Sequence, residues 1–147
     1  MTISELLALP IARRSKISRI LRQIERERRR LMDAQLRDWG LQGDMYLFLL
    51  TIENSPGTSQ DYLSEHLMLD KGNVARSAQK LEQMGLILRE PVMGNRRQYA
   101  IYLSEAGQDI LGEVFKALAV WEEKTLSGFS DVQEQQLLDL LSRMLEK

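Results

Sequence analysis

Side chains that can recognise the edges of DNA bases are spaced at helical intervals between Asp70 and Gly85. The amides of Asn73 and Gln79 can bond an adenine edge, and the guanidinium of Arg76 suits a guanine edge. The ammonium group of Lys80 suits a backbone phosphate. A solvated helix surface usually pairs Glu with Lys, and for this stretch alone that ordinary interpretation stays open. The predicted elements on either side of this stretch are needed to choose between the two interpretations.

The same stretch has the pattern of an amphipathic helix. At about 100° per residue, Val74, Ala78 and Leu81 form one apolar stripe opposite the polar side chains. Asp70 is the predicted N-cap, because its carboxylate can accept hydrogen bonds from the free backbone amides of the first turn. Gly85 is the predicted end, since glycine readily adopts the left-handed conformation that terminates helices. The helix is therefore expected to bury one side and expose the other.

A shorter helix is predicted directly before it, from Gly57 to Leu69. Thr58 is the expected N-cap, and Asp61 stands at the capping-box position. The expected buried side consists of Tyr62, Leu63 and Leu67. Two short helices in tandem are typical of a helix-turn-helix.

Two strands are predicted after the helices, from Leu86 to Val92 and from Gln98 to Leu103. The loop between them contains a glycine and is expected to carry Arg96 and Arg97 at its tip. A hairpin in this place is called a wing. The sequence therefore predicts a winged helix-turn-helix over residues 41–103.

The rest of the chain is predicted to be helical, so the expected fold is mainly α with a small β-hairpin wing, in a single domain spanning residues 1–147. The remaining predicted elements are a lead-in from Thr2 to Leu9, a long helix from Ile11 to Asp38 ended by Gly40, a core helix from Gly43 to Glu53, a helix capped by Ser104 that runs to Leu126, and a last helix capped by Ser130. The first long helix and the last one have more apolar surface than one domain can cover. We therefore expect residues 1–40 and 104–147 to form the interface of a homodimer.

Composition and charge narrow the function classes. The 147 residues include no cysteine and one histidine, His66, which has no nucleophile or metal-spaced partner near it in the sequence. No glycine-rich phosphate loop is present either, so we predict neither an enzyme nor a bound cofactor or metal. The net charge of −1 is unevenly distributed, at +3 for residues 1–57, +1 for 58–103 and −5 for 104–147. Local charge, and not the total, determines whether DNA can bind.

No apolar run approaches the ~20 residues needed to cross a bilayer. The first ten residues lack the basic start of a signal peptide. We therefore expect a cytoplasmic protein without a membrane partner.

Taken in order, these motifs resemble the MarR family of bacterial winged-helix transcriptional regulators. The matching segments are Gly40-Leu41, Ser55 to Gln60, Leu69 to Lys71, Leu81 to Ile87 with Arg89, and Tyr102 to Gly107. The resemblance implies a homodimer that binds double-stranded DNA, with each recognition helix in a major groove and each wing in a minor groove. It also implies repression of the protein's own operon and release by small aromatic or phenolic ligands. Because two subunits act together, the operator is expected to be a near-palindrome.

The helix pattern and the resemblance together give the predicted DNA-binding residues. They are Thr58, Ser59, Lys71, Gly72, Asn73, Arg76, Ser77, Gln79, Lys80, Asn95, Arg96 and Arg97. Arg97 is the predicted minor-groove residue. The family's wing usually reads Asp-x-Arg, and here Asn95 stands at the acidic position. Since an amide cannot form a charged pair with arginine, we expect a less rigid wing before DNA binds.

Three alternatives stay open at this stage. Trp39, Met45, Tyr46 and Phe48 stand where the family's ligand pocket would be, and they either line a site for an aromatic effector or form ordinary core. The run from Arg28 to Arg30 either contacts phosphates or is simply solvated. A winged helix can also serve as a protein-interaction module without binding DNA. The polar helix face and the wing arginines disfavour that last alternative, since protein-binding faces favour apolar anchors.

Overall fold

Seven α-helices and one β-hairpin make up the part of the chain that the structure, a computed structural model, describes: residues 2–8 and 13–146. The elements are α1 (Ile3–Ala8), α2 (Arg13–Leu36) followed by a 3-10 turn (Arg37–Trp39), α3 (Met45–Asn54), α4 (Gln60–Leu67), α5 (Lys71–Gln83), β1 (Ile87–Val92), β2 (Asn95–Leu103), α6 (Glu105–Leu126) and α7 (Asp131–Leu145). Their order confirms the predicted fold class of a mainly α protein with a winged helix-turn-helix. The predicted boundaries at Leu9 and Ile11 lie outside the described residues.

The core is arranged around α3. Its side chains Phe48, Leu49 and Ile52 are almost fully buried, as are Val74 and Leu81 on the inner side of α5. Fully burying an aliphatic or aromatic side chain of this size stabilises a fold by about 1.5–3 kcal/mol. Helix α2 packs against α6, and β1 packs against α5. Helix α5, which is the predicted recognition helix, is therefore held from one side by the core and from another by the wing.

The predicted helix caps are confirmed at three of four positions. Asp70 Oδ1 accepts a hydrogen bond from the amide of Asn73 at 2.7 Å, and Ser104 Oγ accepts one from Gly107 at 3.1 Å. Ser130 makes a full capping box with Gln133. The left-handed conformations predicted at the ends of α5 and of the segment before α3 are also present, at Gly85 and Gly40.

The fourth predicted cap, Thr58, is wrong. Ser59 caps α4 instead, since its Oγ accepts from the amide of Tyr62 at 3.0 Å. Thr58 pairs with Ile101 of β2 in an antiparallel bridge, in which the amide of Ile101 donates to the Thr58 carbonyl at 2.8 Å. This pairing holds Thr58 in the sheet and moves the helix start by one residue. The bridge also joins the helix-turn-helix to the wing.

Tyr62 was expected in the core and is instead 41% exposed. Its ring stacks on that of His66, with the ring centroids 5.4 Å apart. Helix α4 has only eight residues, and Leu63 is its only buried one. A helix of two turns offers the core a narrower stripe than the sequence pattern indicated.

The wing differs from its prediction at the start of β2. This strand begins at Asn95, and the turn consists of Met93 and Gly94, so the arginines follow the tip and do not form it. The register runs regularly from Ile87–Leu103 to Pro91–Tyr99 and then shifts, so that Val92 pairs with Asn95. Proline has no amide to donate to a partner strand, and such a residue commonly coincides with a bulge. Arg97 therefore lies in the irregular part of β2.

Helices α2, α6 and α7 expose apolar side chains that this single chain leaves uncovered. They include Ile17, Leu21 and Ile24 on α2, Phe115 on α6, and Leu138, Leu141 and Leu145 on α7. No described residue of α7 is buried. Within residues 2–8 and 13–146, none of the helices combines the length and apolar character needed to span a bilayer.

Candidate nucleic-acid interface

Helix α5 exposes the polar side that its sequence predicted. Val74, Ala78 and Leu81 are fully buried, whereas Arg76, Gln79 and the neighbouring lysines are exposed. Asn73 and Ser77 are half-buried, and the Ser77 hydroxyl donates to Asn73 Oδ1 at 3.2 Å. This bond orients an amide that would otherwise rotate freely. The helix therefore presents amide and guanidinium donors on one surface.

Gly72 provides space for the guanidinium of Arg76. A methyl group at Gly72 would lie 3.1 Å from Arg76 Nη1 and 3.2 Å from Asp70 Oδ1. The Arg76 side chain therefore folds back along α5 toward the N-terminal turn. Gly72 was predicted as a DNA-binding residue from its position, and the structure adds that its missing side chain leaves room for Arg76.

The N-terminal part of the helix-turn-helix places three further predicted residues. Lys71 Nζ lies 3.6 Å from Asp61 Oδ1, and both side chains are well exposed, so this ion pair contributes little to stability. Ser59 is half-buried at the start of α4. Thr58 is 8% exposed, and most of its side chain faces the interior. The DNA-binding role predicted for these residues stays a prediction.

The wing residues lie on β2. Asn95 Oδ1 accepts a hydrogen bond from the Arg97 amide at 3.1 Å, so the amide that replaces the usual aspartate holds the backbone of the wing arginine. Arg97 is exposed. The side chain of Arg96 lies outside the described part of the chain.

An ion pair connects the recognition helix to the wing. Arg89 of β1 donates to Glu82 of α5 through Nε at 2.9 Å and through Nη2 at 3.0 Å. The Arg89 guanidinium also lies over the ring of Tyr99 of β2, 5.5 Å from its centroid. The hydrogen bonds from Arg89 lower the pKa of the Glu82 carboxyl. Sequence reasoning missed this contact, because it joins residues on two elements whose relative orientation no local pattern specifies.

A groove of about 330 Å³ runs between the recognition helix and the wing. It is lined by Ser59, Gln60, Asp61, Ala75, Gln79, Arg89, Arg97, Gln98 and Tyr99. The groove brings together three predicted DNA-binding residues, Ser59, Gln79 and Arg97, that belong to three different elements. A helix face and an arginine-bearing hairpin side by side can contact adjacent grooves of a duplex.

A second groove, of about 350 Å³, lies on the other side of α5. It is lined by Arg29, Gln42, Gly43, Asp44, Met45, Asn73, Arg76, Ser77 and Lys80. It joins helix α2 to the recognition helix. We call it the α2–α5 groove.

The residues predicted to line an effector pocket fall into two groups. Met45, Tyr46 and Phe48 are buried in the core, whereas Trp39 is 41% exposed. The Tyr46 hydroxyl is buried and has no hydrogen-bond partner among the described residues. Among the described residues, no group of His, Asp and Glu is arranged to hold a metal ion.

Comparison with known proteins shows which family the winged-helix region matches. The sequence model of the MarR family matches residues 45–99, which run from the start of α3 into β2. A MarR transcriptional regulator from Methanosarcina mazei has the same fold, with a TM-score of 0.82 and 27% sequence identity, and the alignment covers 88% of this chain and 93% of that one. Residues 45–99 therefore form a MarR-family domain.

Two further relatives of this chain are named as regulators. A protein of Thauera aromatica, named for transcriptional regulation of the hcr operon, is 28% identical over 105 residues; the alignment covers 71% of this chain and 63%, less than two thirds, of that protein. The HTH-type transcriptional regulator BilQ of Clostridium symbiosum is 28% identical over 111 residues, covering 76% of this chain and 77% of the relative.

Proposed function

We propose that this protein binds a specific double-stranded DNA sequence as a homodimer and represses transcription. The observation that carries the proposal is the groove shared by Gln79 of the recognition helix and Arg97 of the wing. Arg76 lies exposed on the same helix and can form a bidentate contact with guanine in a major groove. Arg97 can enter the neighbouring minor groove. The function requires access to the chromosome, as expected for a cytoplasmic protein.

The exposed apolar residues of the terminal helices support the homodimer. A cleft of about 610 Å³ between α6 and α7 has mostly apolar walls, including Trp121, Leu126 and Leu137. Large exposed apolar patches of this kind mark interfaces with partner proteins. A second copy would cover the cleft symmetrically and set the distance between the two recognition helices. The operator would then be a near-palindrome with half-sites about one helical turn apart.

Release by a small aromatic ligand is part of the proposal. Met45 both borders the core and lines the α2–α5 groove beside Arg76. A ligand inserted at Met45, Tyr46 and Phe48 would therefore displace the base-reading side of α5. A release screen with aromatic acids on the bound operator tests this step. Persistent DNA binding throughout the screen would leave these residues as ordinary core.

The central experiment compares Arg76→Ala with the parent. Binding to a duplex from the gene's own upstream region, and to a scrambled duplex, is measured by fluorescence anisotropy. The variant should lose about 1–3 kcal/mol on the cognate duplex and little on the scrambled one, because a bidentate base contact supplies discrimination. Lys124→Ala, the same loss of charge on α6, is the control and should bind like the parent. Sedimentation of the complex should give two chains per duplex.

Equal affinities of parent and Arg76→Ala on both duplexes would contradict the base-reading role. A parent protein that binds neither duplex would instead favour the protein-interaction module.

A further inference from the structure

The side chains of the three consecutive arginines of α2, Arg28 to Arg30, have different surroundings. Arg28 pairs with Glu25 and lies over the ring of Tyr46, 5.6 Å from its centroid, which turns it toward the core. Arg29 lines the α2–α5 groove. Arg30 is exposed and is not among the groove's lining residues. Of the three, Arg29 is the one directed toward the recognition helix.

The loop before α3 holds the Arg29 guanidinium in place. Gly43 has a left-handed conformation, and its amide donates to Asp33 Oδ1 of α2 at 2.7 Å. A methyl group at Gly43 would lie 3.0 Å from Arg29 Nη2, so the guanidinium rests directly on this glycine. Its carboxylate neighbour, Asp44 Oδ2, is 3.8 Å from Nη2, and the Arg29 side chain is 54% exposed. The charge is therefore positioned but available to a ligand.

The groove has the chemistry of an oxyanion site. Arg29 contributes one positive charge from α2, and Arg76 and Lys80 contribute two from α5. Asn73 and Ser77 add neutral hydrogen-bonding groups, and Asp44 is the one carboxylate in the lining. Guanidinium and ammonium groups that line one polar groove are suited to binding a phosphate. Since the groove borders the helix surface that would enter a major groove, the nearest phosphates would be those at the edge of that major groove.

We propose that Arg29 and Lys80 together bind one backbone phosphate of the DNA in the α2–α5 groove. This inference rests on the proposed function and adds a contact from a helix outside the helix-turn-helix and the wing. It also assigns Asp44 a measurable effect, because its carboxylate competes with the phosphate for the Arg29 guanidinium.

The test measures operator affinity over a series of salt concentrations for Arg29→Ala and for Arg30→Ala. Both variants lose one charge at adjacent positions of the same helix, so effects of net charge cancel. Arg29→Ala should bind about threefold to tenfold more weakly than the parent near physiological salt, and its log affinity should fall less steeply with log salt, by about 0.9. Arg30→Ala should retain the affinity and the slope of the parent.

Asp44→Asn gives a prediction of opposite sign. Asp44 makes no capping hydrogen bond to α3, so the amide is compatible with the same helix start. Removing the competing carboxylate should tighten operator binding about twofold to threefold. If the Arg29–Asp44 pair were merely structural, both replacements would lower the melting temperature and neither would change the salt slope. That result would overturn the inference.

Two further arms distinguish the source of the phosphate. Methylphosphonate replacement, one position at a time, should identify one phosphate whose neutralisation weakens the parent but not Arg29→Ala. Inorganic phosphate, titrated into the free protein by calorimetry, tests for a free anion; binding there, with no methylphosphonate effect, would refute the DNA contact. A parent protein that binds no duplex would refute the proposed function itself, whereas a binding parent matched by Arg29→Ala would refute only this inference.

Discussion

Replacing Gly107 by alanine should destabilise the protein through one backbone contact. Gly107 lies in the first turn of α6, against the carbonyl group of Leu86. A methyl group there would be 2.1 Å from the Leu86 oxygen and 3.1 Å from its carbon. The Leu86 oxygen also accepts a hydrogen bond from the amide of Ser104 at 3.0 Å. Relief of the overlap must therefore move α6 away from the end of the recognition helix or break this bond.

The expected change in the free energy of unfolding combines two costs and one gain. Overpacking of this kind costs about 1–3 kcal/mol, and the contact with a backbone atom places it toward the upper end. Weakening the bond to Ser104 costs about 0.5–1.5 kcal/mol more. Alanine is favoured over glycine in a helix by about 1 kcal/mol, which offsets part of this cost. The free energy of unfolding should therefore fall by about 2–3 kcal/mol in Gly107→Ala.

The same helix provides a matched control at Gly112. A methyl group there has no heavy atom within 4 Å, so Gly112→Ala should gain the helix preference alone and stabilise by about 0.5–1 kcal/mol. Urea unfolding of both variants is followed by circular dichroism at one protein concentration, since dimerisation would make stability concentration-dependent. A Gly107→Ala variant as stable as the parent would contradict the predicted backbone overlap, and so would two replacements that shift the midpoint in the same direction.

Two further predictions concern the wing and the start of α4. Because Arg89 lowers the pKa of Glu82 in the folded state, their ion pair stabilises the fold above the ordinary carboxyl pKa of 4.5 and is lost as the pH falls through the folded value. Glu82→Gln should thus be less stable than the parent by no more than about 1 kcal/mol at pH 7, and this difference should shrink as the pH is lowered below 4.5, in urea titrations over that pH range. Ser59→Ala should lose about 1 kcal/mol with the N-cap, whereas Thr58→Val, which retains the backbone bridge to Ile101, should change the midpoint by less than half as much. Equal losses for those two variants would mean that Ser59 is not the cap.

Features that depend on residues close in sequence were predictable. The caps at Asp70 and Ser104 join a side chain to an amide three residues later, and both residues of each contact can be identified in the sequence. The buried stripe of α5 follows from helical periodicity in the same way. The positions of the predicted base-reading residues on the outer side of this helix therefore needed no knowledge of the tertiary structure.

Features that depend on distant partners were not predictable. Thr58 is a good N-cap by residue type, but Ile101, which lies far along the chain, draws its backbone into a sheet. The early start of β2 depends on how the hairpin accommodates Pro91, which is a property of two strands together. The contact between Glu82 and Arg89 likewise requires the wing to fold back on the recognition helix. In each case the decisive partner belongs to another element.

The arginine run of α2 shows where sequence reasoning reaches its limit and what the structure adds. Adjacent residues of a helix point about 100° apart, so a run of three like charges covers most of the circumference, and its composition cannot say which charge faces the DNA-binding side. The Arg28 guanidinium lies over the ring of Tyr46 and pairs with the carboxylate of Glu25. The loop docked on α2 through Asp33 then leaves the next residue, Arg29, beside the recognition helix. The contribution of each arginine to DNA binding should therefore depend on its position within the run and not on the number of positive charges. A positive charge moved by one residue along α2 no longer lines the α2–α5 groove.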